Sequence, residues 1–310
     1  MEAAVSNFVE AGTKVAIFAN GFFSDRFTEM CRRQGAKIAR LEKPWGDVYS
    51  DDEIREFIGR ERPAVVMFVH AETSTGALQP ARTICDAAHD CAALVVADCV
   101  TSLGGMPVEI DANGIDIAYS GTQKCLSAPP GLAPLTLSPT ALEALRARQT
   151  PSVSWYLDLK LIDEYWGKSH RYHHTTPITM FYALREALRL CREETLATRF
   201  GRHKLNHRAF VAGIEAIGLR MHVSEPNRLW TLNTPCLPAD CDDGALRKRL
   251  LEEFGIEVLG GFGPLAGKIL RVGLMGYSSQ RKYVLLLLSA LETCLGRTGA
   301  VRASEAVYER

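Results

Sequence analysis

The sequence lacks any apolar run of the roughly 20 residues that a membrane-spanning helix needs. The longest run, residues 283–291, lies inside an amphipathic pattern and predicts a core helix. The first residues lack the basic start and apolar centre of a signal peptide, and the last residues do not form a peroxisomal address. These absences predict a cytoplasmic protein with no membrane partner.

An excess of charge is also absent, because 36 Lys and Arg residues balance 36 Asp and Glu residues. No basic stripe is visible, so we expect no nucleic-acid partner. The nine cysteines are odd in number and irregularly spaced, without a CxxC pair or a histidine at zinc-site spacing. That pattern predicts reduced thiols in a cytosol-like compartment and no metal site.

Continuous apolar runs alternate with helical patterns over the first half of the chain. Runs of this kind are typical of strands buried on both faces, so they predict an α/β fold with a mostly parallel sheet flanked by helices. The predicted strands cover residues 15–19, 64–69, 92–97, 115–119 and 132–137. The predicted helices of this half cover residues 27–34, 80–91 and 139–148.

The pattern changes after residue 150, where helices become longer. Predicted helices cover residues 155–166, 177–194, 196–217, 244–254 and 280–295. Strand-like runs lie at residues 219–223, 229–232 and 269–274. We therefore expect a large domain over residues 1–194 and a smaller C-terminal α+β domain over residues 195–310.

Ligands of open parallel sheets bind beyond the carboxyl ends of the strands. One lysine, Lys124, follows the predicted strand at 115–119 among small residues, with no acidic residue beside it. Partial burial there would disfavour its ammonium form and free the amine for a Schiff base. The alternative is a solvated loop lysine.

Asp98 closes the predicted strand at 92–97 and is either a loop cap or a charge directed into the crevice. Together with Lys124 it indicates one specific chemistry. An aspartate keeps a pyridine nitrogen protonated, and a lysine holds the same ring as an imine. This is the chemistry of pyridoxal 5′-phosphate (PLP).

Five separated blocks carry a family resemblance. ADCVTSLGG at 97–105 and YSGTQKCLSAPPG at 119–131 resemble class V aminotransferases, which have the PLP fold type I. HAETSTGALQP at 70–80, YHHTTP at 172–177 and FGPLAGKILRVGLMG at 262–276 narrow the resemblance to alanine–glyoxylate and serine–glyoxylate (or serine–pyruvate) aminotransferases. The similarity runs from about residue 2 to residue 295.

The resemblance implies a role for each matching residue. Lys124 would bind PLP covalently and carry the proton, while Asp98 would hold the pyridinium. Val100 and Phe23 would pack on opposite ring faces, although the family usually has tryptophan at the position of Phe23. Thr73 would lie near the ring oxygen.

Further residues complete the implied site. Gln123 would help to bind the phosphate, and Tyr172 and Thr175 would reach the phosphate of a neighbouring subunit, which implies a homodimer with shared active sites. Arg271 would bind the substrate carboxylate. We expect structural roles for His173 and His174 rather than metal binding or base catalysis, because Lys124 already supplies a base.

The chain departs from its family at the N-terminus. Related enzymes have a further N-terminal stretch with an arm over the partner subunit and a Ser/Gly-rich turn that binds the phosphate at a helix N-terminus. Residues 1–12 resemble the body of that helix. The resemblance thus implies a missing segment, either because the true product is longer or because this is a short form with weak PLP binding and no activity.

The resemblance predicts transamination of alanine or serine, with glyoxylate or pyruvate as acceptor. An alternative is an (S)-ureidoglycine–glyoxylate aminotransferase, which QKCLS and RHKLN resemble. That branch tends to have asparagine at the position of Tyr172, so Tyr172 favours the alanine or serine type. A cysteine desulfurase usually has histidine at the position of Gln123 and is disfavoured. A catalytically silent relative is the remaining alternative.

Overall fold

Eleven strands and twelve α-helices are present in a computed structural model, which describes residues 1–309. The strands are β1 (Lys14–Ala19), β2 (Lys37–Glu42), β3 (Val65–Val69), β4 (Ala71–Glu72), β5 (Ala77–Leu78), β6 (Leu94–Asp98), β7 (Ile117–Tyr119), β8 (Leu135–Leu137), β9 (Leu232–Asn233), β10 (Leu259–Gly260) and β11 (Leu270–Gly273).

The helices alternate with the strands in the first half and dominate the second. They are α1 (Glu2–Phe8), α2 (Phe22–Arg33), α3 (Asp51–Glu61), α4 (Arg82–His89), α5 (Ile110–Asn113), α6 (Pro139–Ala147), α7 (Leu159–Trp166), α8 (Ile178–Glu194), α9 (Leu196–Ala216), α10 (Asp243–Phe254), α11 (Arg281–Leu295) and α12 (Ala300–Tyr308). Within residues 1–309, no helix is both long enough and apolar enough to cross a membrane.

The main sheet has six strands in the order β2-β1-β3-β6-β7-β8. All neighbours pair in parallel except β8, which runs antiparallel to β7. The central strand β3 is buried along its whole length, as its continuous apolar sequence predicts. The predicted α/β architecture with a mostly parallel sheet is confirmed.

Register brings particular strand ends together at one edge of the sheet. Asp98, the last residue of β6, lies beside Tyr119 at the end of β7 and beside Val69 at the end of β3. Because parallel strands share one carboxyl edge, the segments that follow β3, β6 and β7 meet there. This edge is where the sequence predicts the site.

Apolar side chains form separate cores on the two faces of the sheet and in the C-terminal part. Phe68 belongs to the core on one sheet face, and Met67 belongs to the core on the other. A third core joins α9, α10, α11 and α12 to the small sheet β10-β11-β9, with Phe210 and Leu288 fully buried.

Two predicted elements need correction. Residues 219–223 form no strand, and Met221 makes only an isolated bridge to Pro235. The helix predicted from residue 155 begins instead at Leu159, because the Asp158 side chain accepts hydrogen bonds from two backbone N–H groups of the first turn.

Candidate active site

A cavity of about 580 Å³ opens at the carboxyl ends of β3, β6 and β7. Its volume lies within the range of about 300–1,000 Å³ that is typical of cofactor sites. Most residues that the sequence predicts for the site line this one cavity, namely Phe23, Thr73, Asp98, Val100, Gln123 and Lys124. The structure therefore brings together segments that are about 100 residues apart in the chain.

Asp98 is buried at the end of β6 and accepts two hydrogen bonds. The N–H of Val100 donates to its Oδ1 at 2.9 Å, and the hydroxyl of Tyr119 donates to its Oδ2 at 2.7 Å. Burial raises the pKa of Asp98, while these two donors oppose that shift by stabilising the carboxylate. A buried carboxylate with remaining lone pairs is suited to binding a cationic ring nitrogen.

Tyr119 was not predicted as a site residue. Burial and the neighbouring Asp98 raise the pKa of Tyr119, so its hydroxyl stays protonated and remains a donor. The signal that would have found it is strand register, because Tyr119 pairs directly with Asp98. Register is set by the whole sheet and is not visible in the apolar run IAY.

Lys124 is half-buried in the turn that follows β7. The turn is held by backbone hydrogen bonds from Ser127 N to Lys124 O at 3.0 Å and from Ala128 N to Thr122 O at 3.0 Å. Among the described residues, the Nζ atom of Lys124 has no hydrogen-bond or ion-pair partner. The amine is therefore available to a ligand in the cavity.

A buried arginine supports the Lys124 turn from outside the cavity. Arg199 of α9 donates to the backbone oxygens of Gly104 and Cys125, the residue after Lys124. Arg199 also forms an ion pair with Glu194 at 2.7 Å. This support was not predicted, because a helical arginine in sequence gives no indication of which loop it reaches.

Glu72 fixes the first turn of α2, which carries the cavity residue Phe23. Its Oε2 accepts from the N–H of Phe23 at 3.2 Å, and the Oγ of Ser74 accepts from the N–H of Phe22 at 3.0 Å. These contacts cap the first turn of α2 from another strand end. Gly21 permits this approach, because a Cβ there would overlap the Glu72 side chain.

Burial also shifts the pKa values of two polar residues in this part of the site, Glu72 and His70. Burial raises the pKa of Glu72 to about 7, against hydrogen bonds from Ser74 that favour the carboxylate. Burial lowers the pKa of His70 to about 4, and its Nδ1 lies 2.9 Å from the Oγ of Ser102. His70 thus joins the segment that follows β3 to the segment that follows β6.

Arg271 lies on β11, beside the cavity rather than in its lining. Its Nε donates to the backbone oxygen of Gly260 at 2.7 Å, and its guanidinium carbon lies 3.9 Å from the ring centre of Phe262. Phe262 contacts Phe22, the neighbour of the cavity residue Phe23. Within residues 1–309, the two terminal nitrogens of Arg271 have no hydrogen-bond partner.

Tyr172 and Thr175 do not reach this cavity. Tyr172 has 71 % of its surface exposed, and its hydroxyl lies 3.2 Å from the Oγ1 of Thr175. They belong to an exposed aromatic surface. We define this surface by five exposed aromatic side chains that are linked through ring contacts of Tyr165, His173 and His174, namely Trp155, Tyr156, Trp166, Tyr172 and Phe181.

The adjacent histidines stabilise the same segment. His173 stacks on Trp155 with ring centres 4.1 Å apart, and its Nδ1 lies 2.8 Å from the Nδ1 of His174. No group of three or more potential metal ligands occurs in residues 1–309. His173 thus contacts Trp155 and His174, which belong to the same aromatic part of the chain.

The residues of the cavity fit PLP. Asp98 offers a buried carboxylate to a pyridine nitrogen, and Lys124 offers a half-buried amine to an aldehyde. Phe23 and Val100 are the apolar side chains in the lining that suit the faces of a flat ring. Such a sheet, with this acid and this amine at its carboxyl edge, defines a PLP enzyme of fold type I.

The chain belongs to the class V aminotransferase family, whose model, described as "Aminotransferase class-V", matches residues 1–281. The alanine–glyoxylate aminotransferase of Callithrix jacchus is 38 % identical over 300 residues, covering 95 % of this chain and 72 % of that protein.

Two crystal structures are similar over nearly the whole chain. An alanine–glyoxylate aminotransferase from Nostoc sp. has 47 % identity and a TM-score of 0.93, covering 95 % of this chain and 78 % of that one. A ureidoglycine–glyoxylate aminotransferase from Bacillus subtilis has 40 % identity and a TM-score of 0.97, covering 100 % and 82 %. The chain is a PLP-dependent aminotransferase, and the predicted family, fold type and cofactor are confirmed.

Proposed function

We propose that the protein transfers the amino group of a small amino acid, alanine or serine, to glyoxylate or pyruvate. The observation that carries the proposal is that Asp98 and Lys124 line one cavity at the carboxyl edge of the sheet. Relatives named as alanine–glyoxylate aminotransferases support this choice of substrates.

We propose that Lys124 binds PLP covalently and moves a proton to and from the substrate α-carbon. Asp98, held by Tyr119 and the N–H of Val100, would keep the pyridine nitrogen protonated. When bound, PLP acts as the electron sink for the α-carbanion of the substrate. Phe23 would cover one ring face, and its backbone is fixed by Glu72.

We propose binding roles for the other predicted residues. Val100 would cover the second ring face, and Thr73 would hydrogen-bond near the ring oxygen. Gln123, which is exposed beside Lys124, would contribute to the phosphate site. Arg271 would bind the substrate carboxylate as a bidentate fork, since its terminal nitrogens are available and its guanidinium is already oriented.

We propose that the protein is a homodimer with shared active sites. Clusters of large exposed apolar side chains, such as this aromatic surface, are typical of interaction surfaces. Tyr172 and Thr175 lie at this aromatic surface and not in the cavity of their own chain, which supports a role at the phosphate of a partner.

We further propose a domain boundary at residues 194 and 195 and a cytoplasmic location. The boundary coincides with the junction of α8 and α9, and the C-terminal core draws its buried side chains from residues 209–300. The nine cysteines are free thiols, which favours a reducing compartment.

A donor screen tests the substrate assignment. The purified protein with PLP is mixed with L-alanine, L-serine or (S)-ureidoglycine, with glyoxylate or pyruvate as acceptor, and kcat/KM is measured for each pair. We expect alanine or serine to give the highest value. The second candidate is ureidoglycine as donor, which the Bacillus subtilis neighbour favours.

Two outcomes contradict the proposal in different ways. A preference for ureidoglycine by more than about tenfold, equal to about 1.4 kcal/mol in transition-state binding, would select the second candidate. The absence of turnover with every donor, together with a normal visible spectrum of bound PLP, would reject all three donors but retain the cofactor site.

A further inference from the structure

Arg271 is held at two places before any substrate arrives. Its Nε donates to the backbone oxygen of Gly260 at 2.7 Å, which fixes one edge of the guanidinium. The ring of Phe262 lies 3.9 Å from the guanidinium carbon and covers one face. The remaining edge carries the two terminal nitrogens, which a carboxylate requires for a bidentate contact.

Phe262 is itself supported by the other side of the site. Its ring centre lies 5.0 Å from that of Phe22, and the rings of Phe22 and Phe23 are 5.5 Å apart. Phe22 and Phe23 begin α2, whose first turn is capped by Glu72 and Ser74. A continuous row of aromatic rings therefore links Arg271 on β11 to the lining of the cavity.

The row matters because an arginine side chain is otherwise expensive to order. Fixing a free arginine side chain costs rotamer entropy, because its long stem has several rotatable bonds. A guanidinium that is already stacked on an aromatic face has lost most of that freedom before binding. Coverage of one face also excludes water, which strengthens a charge-assisted hydrogen bond at the exposed edge.

We propose that Phe262 is a positioning residue that presents Arg271 to the substrate carboxylate, with Phe22 supporting its ring. This inference rests on the proposed role of Arg271. Amino donor and 2-oxo acid acceptor both carry a carboxylate next to the reacting carbon. Loss of the stacking therefore weakens the binding of both substrates and leaves the proton transfer at Lys124 largely unchanged.

The variant Phe262→Leu removes the aromatic face and keeps an apolar side chain of similar reach. We expect KM for donor and acceptor to rise together by about three- to tenfold, with kcat changed by less than about twofold, the range of a partly exposed cation–π contact. Phe262→Tyr keeps the ring and restores both KM values. A merely structural role would lower the amount of active enzyme without this split.

Tyr283→Leu is the matched control. Tyr283 carries a comparable stacked cation, Lys282 at 4.7 Å, on α11. We expect its KM values to remain those of the unaltered protein. If Phe262→Leu does not yield a folded protein with bound PLP, Phe22→Leu probes the same row at its exposed member and is expected to shift both KM values in the same direction.

Arg271→Ala separates failure of this inference from failure of the proposed role of Arg271. If Arg271 binds the carboxylate, Arg271→Ala alone raises both KM values, and adding Phe262→Leu to it has less than about a twofold further effect. Unchanged KM values in Arg271→Ala would reject the arginine assignment. Raised KM values in Arg271→Ala together with normal values in Phe262→Leu and Phe22→Leu would overturn the positioning role alone.

Discussion

Asp98 is buried at a strand end with two hydrogen-bond donors, whereas Tyr172, predicted to reach the site of a neighbouring subunit, has 71 % of its surface exposed. The first region is built from adjacent parallel strands and the turns that follow them. The second, residues 172–177, lies next to an exposed aromatic surface. The two regions thus differ in whether the chain's own core fixes the side chains.

This difference separates the residues proposed to act on the PLP ring from those proposed to bind the phosphate of a partner. Groups proposed to act on the ring lie where the core of one chain determines their geometry. Tyr172 and Thr175, proposed to act on the phosphate of a partner, lie at an exposed surface that does not by itself exclude water or fix their direction. Substitutions in the first region are therefore expected to lower kcat. Substitutions in the second region are expected to weaken PLP binding in a way that depends on the protein concentration.

The largest effect is expected for Lys124→Ala in the buried region. Loss of the amine removes both the covalent bond to PLP and the proton carrier, so kcat falls by at least about 10³-fold. Turnover assays and borohydride reduction, which traps lysine-bound PLP for mass measurement, check this. Lys248→Ala, an exposed lysine on α10, is the control and should behave normally. Retained turnover in Lys124→Ala would contradict the assignment.

Asp98→Asn is expected to have the next largest effect. The amide keeps the shape and one acceptor oxygen, which can serve Tyr119 but not also the N–H of Val100, and it carries no charge to hold a protonated ring nitrogen. We expect kcat to fall by about 10²-fold or more, as for loss of a preorganised electrostatic contact. Steady-state kinetics measure it, with Asp86→Asn, at a partly exposed aspartate on α4, as control. Equal rates for the two variants would contradict the role of Asp98.

Phe181→Asp tests the exposed region. Phe181 packs on Trp166 within the aromatic surface, and a charge there opposes burial against a second copy. We expect the dimer dissociation constant to rise by about 30-fold or more, the effect of losing an interface hot spot. Light scattering with size-exclusion chromatography measures it, and PLP affinity should fall on dilution.

The control for this surface is Leu251→Asp, at an apolar residue on α10 that is more exposed than Phe181. It should leave the dissociation constant unchanged. If the unaltered protein is monomeric at micromolar concentration and active, the exposed region is complete without a partner. The contrast between the two regions would then be wrong.

Much of the fold was predictable because buried strands are continuous apolar runs. The edge strand β2 was not predicted, since its KIARLE sequence is half-exposed and charged. Helix α3 was missed although its capping box, Ser50 with Glu53, is a local signal. The observed start of a helix also differs from the predicted start where a side chain caps the helix, as Asp158 does for α7.

The site was predictable where chemistry follows directly after a strand, as at Asp98 and Lys124. Tyr119 and Glu72 were not identified, because their contacts depend on register and on segments distant in sequence. A buried glutamate in particular has no sequence signal, since acidic residues are rarely buried. The position of Tyr172 outside the cavity is likewise a property of the folded chain.

Glu72 and Glu53 give the smallest expected effect and the sharpest test of burial. Both cap a helix N-terminus, Glu72 that of α2 in the buried region and Glu53 that of α3 at the surface. Burial raises the pKa of Glu72 to about 7, whereas hydrogen bonds from Lys43 and Ser50 lower the pKa of Glu53 to about 2. The pKa of the capping carboxyl group is thus raised in the buried region and lowered at the surface.

The sign of the pH dependence follows. A carboxyl whose pKa is raised in the folded state binds more protons there than in the unfolded chain, so its contribution to stability is lost as pH rises from about 4.5 to about 7. The loss is on the order of 3 kcal/mol, or a few degrees in Tm. We expect Glu72→Gln to flatten the fall in Tm between pH 5 and pH 8. Glu53→Gln should leave that slope unchanged, because its titration lies below pH 5. Parallel slopes for the unaltered protein and Glu72→Gln would show that Glu72 titrates like a surface residue, and its contact with Phe23 would then not differ in kind from the exposed cap.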